Sequence, residues 1–236
     1  MDPIGISTAD LQRMLVFRCA DEFLTPEMWQ YIKENGLCIE PRDRCGLSLQ
    51  DLEKEAIALL KPSRVAHVLG CRDTAVELAR IWGVDETDAA RAALLHDITK
   101  ALDGPLQLTL CWSYGVILDE FSMQNPKTLH ALTGSLVAKK IFGENQAVVD
   151  AICSHTTGKV NMNMLEKIIY VADYMEPNRD FPGVEELRHL AYTDIDGALK
   201  MGLEMTLAVL QKRGSEVSKA SVDALAWLER KEKLHS

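Results

Sequence analysis

Apolar residues recur at three- and four-residue spacing along most of the chain, and strictly alternating runs bounded by turn residues are missing. The pattern predicts an all-α fold. The clearest helix spans about 63–82, with Ser63 as its N-cap, Val65, Leu69, Val76 and Leu78 on its apolar positions, and Gly83 closing it. A second opens at Asp85 or Thr87, carries Ala92, Leu94 and Leu95, and delivers His96 and Asp97 near its end. Neighbours on an ideal helix are about 100° apart, so those two serve one centre only if the helix loosens there. Asn125-Pro126 opens a helix through His130 and Leu136 that Gly143 closes, and another covers 145–155 ahead of Thr156-Thr157-Gly158. Leu165, Ile168, Ile169 and Ala172 define a helix over 163–175, broken at Glu176-Pro177-Asn178. Helices over 184–192 and 194–213, and a last one from Ser221, complete a bundle.

The first sixty residues read differently. Turn punctuation at Asn35-Gly36, Pro41 and Gly46 separates two short helical stretches from a helix near 48–60. The expected organisation is a short appendage over 1–47 and a main domain over 48–236. At 236 residues and 47% hydrophobic content, such a domain can bury a full core. A formal charge of −9 disfavours a duplex nucleic-acid surface, which needs Lys and Arg to release counterions. Any anionic ligand must find its positive charge in a local cleft. Cys19, Cys38, Cys45, Cys71, Cys111 and Cys153 form no C-x-x-C pair, so they read as reduced thiols rather than a zinc ribbon. With no leader-like start and no apolar stretch near the roughly 18 residues that span a bilayer, the expected place is the cytoplasm, without a membrane partner. A homodimer is compatible with this reading.

Four of the six histidines fall in one series with two acids: His67, His96-Asp97, His130, His155 and Asp173. Each histidine alone reads more readily as a satisfied core or exposed surface residue than as a ligand. Asp97 could bond nearby backbone, and Asp173 could pair with a lysine such as Lys167. Yet Asp173 follows Ile168-Ile169-Tyr170-Val171-Ala172, and Asp97 follows Leu94-Leu95-His96, surroundings costly for an unpaired carboxylate. Imidazoles and carboxylates converging from separate elements suit iron, manganese or zinc better than calcium.

The order His67, His96-Asp97, Asp173 resembles the ligand pattern of the HD superfamily of metal phosphohydrolases. The segments 94–100 (LLHDITK), 154–159 (SHTTGK) and 165–183 (LEKIIYVADYMEPNRDFPG) are similar to its YqeK type, the symmetrical bis(5′-nucleosyl)-tetraphosphatases, over about 63–228. That resemblance implies cleavage of diadenosine tetraphosphate into two ADP. It implies one or two iron ions, or manganese or another divalent metal, at His67, His96, Asp97 and Asp173. Asp97, His130 and His155 are the implied catalytic residues. Gly70, Lys100, His130, His155, Thr156, Asp173, Arg179 and Ser221 are the implied nucleotide contacts, and His130 and His155 could instead hold a second ion. Leu225-Ala226 depart from the family's Arg-Asn, on the adenine side. The alternatives are hydrolysis of another nucleotide phosphate ester and a non-catalytic nucleotide sensor. Segments 4–13 and 23–37 resemble the C-terminal tail of nicotinate mononucleotide adenylyltransferase. The H-x-G-H motif of that chemistry is absent and Gln12 stands where arginine is usual, so no adenylyl transfer is expected.

Overall fold

The computed structural model describes residues 6–21, 23–35 and 43–235, and among them it holds helices and turns but no strand. The expected turn at Gly36 and Pro41, like residues 4, 5, 36 and 37 of the appendage resemblance, lies outside the described residues. Short polar side chains start most helices by accepting the backbone N–H three residues on: Ser7 for α1 (Thr8–Val16), Thr25 for α2 (Pro26–Glu34) and Ser48 for α3 (Leu49–Leu59). Helix α4 (Pro62–Trp82) begins one residue earlier than the sequence pattern predicts, so Ser63 is not its cap. Pro62 takes the first helical position, where its missing N–H costs nothing and its fixed φ suits the helix. Gly83 ends α4 in the left-handed region at φ 70°.

Asp85 caps α5 (Glu86–Leu95), which stops at Leu95 and gives way to a turn over 96–100. That is the loosening His96 and Asp97 would need to face one centre. Helices α6 (Gly104–Ser113) and α7 (Glu120–Gln124) follow. Neither is evident from periodicity: α6 opens on Gly104-Pro105, which reads as a turn, and buries Leu106, Gln107, Thr109, Leu110 and Cys111 without a clean polar stripe. The single helix expected from Pro126 divides into a 3-10 turn (Pro126–Leu129) and α8 (His130–Lys140). The remainder are α9 (Gln146–Ser154), α10 (Met164–Met175), α11 (Val184–Ala191), α12 (Ile195–Lys212) and α13 (Lys219–His235).

Helix α5 lies at the centre because Ala89, Ala90, Ala92 and Ala93 are small enough for other helices to approach closely. Helices α4, α9 and α10 pack against it and bring Val68, Ala75, Leu78, Val148, Ile152, Ile168 and Ile169 into the common core. Met14, Val16 and Phe17 at the α1 end join the same core, and Arg13 Nε donates to the Leu59 carbonyl at 2.7 Å. Arg91 forks onto the buried Glu144 carboxylate at 2.7 and 2.6 Å. Lys167 pairs with Asp196 at 2.6 Å and leaves Asp173 to other partners. Among the described residues no helix is long and apolar enough to cross a membrane.

Helix α10, which carries Asp173, starts with a capping box: Asn163 accepts from Glu166 N at 3.0 Å and Glu166 accepts from Asn163 N at 2.7 Å. Asn163→Ala is expected to destabilise the fold by about 1 kcal/mol. A urea unfolding midpoint equal to that of the parent would contradict this.

Candidate metal centre

Three helix boundaries present histidines to one space. His96 is the C-cap of α5, His155 the C-cap of α9, and His130 the first residue of α8. Each turns its Nδ1 onto the carbonyl three residues back: Ala93 at 2.7 Å, Ile152 at 2.7 Å and Lys127 at 2.8 Å. A carbonyl only accepts, so Nδ1–H donates in all three, and Nε2 of the neutral ring keeps its lone pair. His67, on α4, is set the same way by a carboxylate: its Nδ1 donates to Glu176 Oε1 at 3.0 Å. Its Nε2 lies 3.0 Å from Asp173 Oδ1. The four rings form a row in the order 67, 96, 155, 130, with centroid spacings of 5.4, 5.0 and 5.1 Å.

Asp97 faces this row with a side chain that is 0% exposed. Its Oδ2 is 3.5 Å from His96 Nε2 and 3.8 Å from His67 Nε2, and also receives the Arg64 guanidinium. Its Oδ1 is 3.5 Å from His130 Nε2, 3.8 Å from His155 Nε2 and 3.4 Å from Lys100 Nζ. Burial pushes the Asp97 carboxyl up, but His96 and His155 outweigh it and hold it well below the usual carboxylate range. For Asp173, burial is likewise outweighed, first by the His67 ring and then by His96. Both carboxylates stay ionised. Burial opposes charge on His96, yet Asp97 and Asp173 raise its pKa. At the far end of the row, burial, then His155 and Lys100, lower that of His130 to about 3. Its Nε2 therefore accepts from Lys100 Nζ at 2.8 Å and lies 3.1 Å from the Thr156 hydroxyl, which is also 3.1 Å from His155 Nε2.

Among the described residues, His96 Nε2 and Asp97 Oδ1 are fully buried and make no hydrogen bond. Buried polar atoms are normally paired, so these two orphans, both aimed into the cluster, are what donors to a cation would look like. Donor atoms of His67, Cys71, His96 and Asp173 all lie within 4.8 Å of one another, as do those of His96, Asp97 and His155. The residues fit a metal ion.

Residues 64–178 match the HD domain family. The symmetrical bis(5′-nucleosyl)-tetraphosphatase of Halalkalibacterium halodurans is 39% identical over 173 residues, covering 69% of this chain and 89% of the relative. That of Bacillus subtilis is 36% identical, covering 74% and 96%. The crystal structure of a predicted HD superfamily hydrolase involved in NAD metabolism from Clostridium acetobutylicum superposes with a TM-score of 0.76 at 38% identity, covering 78% of this chain and 98% of that one. This chain belongs to the HD-domain bis(5′-nucleosyl)-tetraphosphatases.

Of the residues that the sequence singles out in this HD-domain chain, the fold gathers His67, His96, Asp97, His130, His155, Asp173, Lys100, Thr156 and Arg179. Arg179 joins through Nη2 to Asp173 Oδ1 at 2.6 Å. Ser221 is buried at the start of α13, with its N–H on Ser218, and takes no part in these hydrogen bonds and ion pairs. Gly70 has a different neighbour from the one expected. A Cβ there would stand 2.4 Å from Glu176 Oε2, so its lack of a side chain makes room for the carboxylate that orients His67.

Glu176 itself escapes a reading of the sequence, because before Pro177 it looks like a helix terminus. It is 1% exposed and held by the N–H and side-chain amide of Asn178 at 2.7 and 2.8 Å. Arg188 of α11 secures the same loop by donating to the carbonyls of Met175, Glu176 and Arg179 at 2.9, 3.0 and 2.9 Å. Arg64 also goes unnoticed, although its spacing of three from His67 is a signal. Under the 96–100 turn, Thr99, Gln107 and Thr133 form a buried network: Gln107 donates to the Thr99 carbonyl at 2.7 Å, and Thr133 to Gln107 Oε1 at 2.6 Å. No local pattern marks those three.

Glu176→Gln is expected to lower metal affinity 10- to 100-fold, the range for partners that orient a ligating histidine. Gly70→Ala should act in the same direction by displacing that carboxylate. Chelator competition measures both, and unchanged affinity would remove Glu176 from the site.

Proposed function

We propose that this chain hydrolyses dinucleoside tetraphosphates in the middle of the bridge, diadenosine tetraphosphate giving two ADP, at a metal centre held by His67, His96, Asp97 and Asp173. The observation that carries the reading is the convergence of these donors, two of them buried orphans, in a chain 39% identical to a symmetrical tetraphosphatase. Mixed nitrogen and oxygen donors suit iron, with manganese compatible. When bound, such an ion supplies Lewis acidity to a phosphoryl oxygen and brings a water nearer to ionisation at neutral pH.

The chain's own groups supply the rest. Asp97, whose carboxylate stays ionised, orients the attacking water from beside the ion. Lys100 and Arg179 offset phosphate charge, the latter presented by Asp173. Thr156, between His130 and His155, donates to a phosphate oxygen. His130, neutral with its pKa near 3, serves as an acceptor and not as a proton source. No strong general acid is needed, since ADP leaves with little protonation. Beside Asp173, a cleft of about 680 Å³ lined by Tyr174, Phe181, Met205, Val209 and Arg213 has the apolar and aromatic walls that suit a nucleoside. Gly70 acts through Glu176, whose carboxylate needs the space that a side chain there would fill. The second close group, His96, Asp97 and His155, favours a second ion next to the first.

The described residues of the 1–47 segment serve as a packing arm on the main domain, supported by the burial of Met14, Val16 and Phe17 in its core. A nucleotide substrate is consistent with a cytoplasmic location.

Product analysis tests the reaction: diadenosine tetraphosphate should give ADP alone, and AMP with ATP would refute symmetrical cleavage. His96→Ala and Asp97→Ala should lose both bound metal and turnover. Stoichiometric metal retained by the double variant would refute the ligand set, and elemental analysis of the parent at one or two ions per chain decides the second site.

A further inference from the structure

Three buried polar side chains beneath the site have no part in the reaction described above. Thr99 lies in the 96–100 turn between Asp97 and Lys100, Gln107 on α6, and Thr133 on α8 three residues after His130. A carbonyl only accepts, and this orders the protons among them. Gln107 Nε2 donates to the Thr99 carbonyl at 2.7 Å, so its Oε1 accepts from the Thr133 hydroxyl at 2.6 Å. With its own proton spent there, Thr133 Oγ1 accepts from the Thr99 hydroxyl at 2.8 Å. The ring opens on the carbonyl of Thr99 and closes on its side chain. The His130 carbonyl, 3.0 Å from Thr99 Oγ1, shares the same proton.

Apolar side chains of the same shape would fill this space at little cost in stability. A closed ring with every member satisfied adds something else, a single geometry. No side-chain nitrogen or oxygen of the three is left unpaired. Two links thus join the 96–100 turn to the start of α8: Thr99 Oγ1 to the His130 carbonyl, and Lys100 Nζ to His130 Nε2 at 2.8 Å. The lysine carries its ammonium on a flexible stem and cannot by itself hold two segments in register. The buried ring can.

We propose that Gln107, with Thr99 and Thr133, is a positioning residue of the reaction: the ring sets the 96–100 turn against α8, so that Lys100 Nζ and His130 Nε2 stand together where the phosphate chain is bound. Gln107 touches neither substrate nor metal and acts through Lys100. This rests on the tetraphosphatase reading, and the test separates the two.

Turnover of diadenosine tetraphosphate by the full chain, supplied with manganese, is measured for Gln107→Leu and Thr133→Val, each alone and combined with Lys100→Ala. Misplacing a reacting group by about 1 Å costs up to about 100-fold, so kcat/KM is expected to fall about 10- to 100-fold in either single variant. In the Lys100→Ala background the same substitutions should cost no more than about twofold, because the residue they act through is gone. Thr133→Ser keeps the hydroxyl and should behave as the parent. Equal losses with and without Lys100, or single variants that match the parent, overturn the role. A loss that vanishes once activity is normalised to the folded fraction marks a merely structural ring and overturns it too. Should Gln107→Leu not fold, Thr133→Val, which keeps the β-branched shape and loses only the hydroxyl, decides alone. No turnover by the parent overturns the reaction itself, and this role with it.

Discussion

A carboxylate with no exposed side-chain surface is the constraint around which this fold is arranged. Asp97 sits where ionisation is expensive unless positive or polarisable groups close in from several directions. Five elements supply them: α4 with Arg64 and His67, the end of α5 with His96, the following turn with Lys100, the start of α8 with His130, and the end of α9 with His155. The helices meet at this point because their ends, not their faces, have polar business there. The alanines of α5 let its C-terminus reach the middle of the bundle.

The histidines are prepared for ligation by the backbone before any ligand is considered. A helix end leaves carbonyls without intrahelical partners. A histidine placed there can use one of them to fix its own tautomer, as His96 and His155 do. His130 achieves the same against the 3-10 turn that interrupts the helix expected from Pro126. His67 sits within a helix whose carbonyls are already engaged and needs Glu176 from a distant loop instead. Local geometry and long-range packing thus reach one result by different means.

The amount legible in sequence follows from that difference. Helical periodicity is a local signal, and it gives α4, α5, α9, α10 and α12 to within a residue or two. The donors themselves were legible because acids in apolar company, Leu94-Leu95-His96-Asp97 and Ile168 to Asp173, contradict ordinary burial. Asp173 proves less buried than its neighbours suggest, at 19% side-chain exposure, because it lies at the cleft wall. What sequence hid is whatever depends on two distant segments meeting. Glu176 looks like the residue before a proline until α4 is laid beside it, and Gly70 looks like an opening for substrate until that carboxylate fills it. Thr99, Gln107 and Thr133 are ordinary polar residues except in their mutual contact.

Arg188 makes no hydrogen bond or ion pair with the donors, yet it gathers three carbonyls of the loop that carries Glu176 and Arg179. Its planar fork serves them at once from fixed directions, whereas a lysine offers a single flexible ammonium that cannot span the same set. Exchange of one cation for the other would keep charge and approximate size while surrendering the shape of the loop. Chemical likeness and geometric interchangeability part company at this position, and the tolerance of the centre to variation is set partly by a residue that would be scored as a mild change on the protein's periphery.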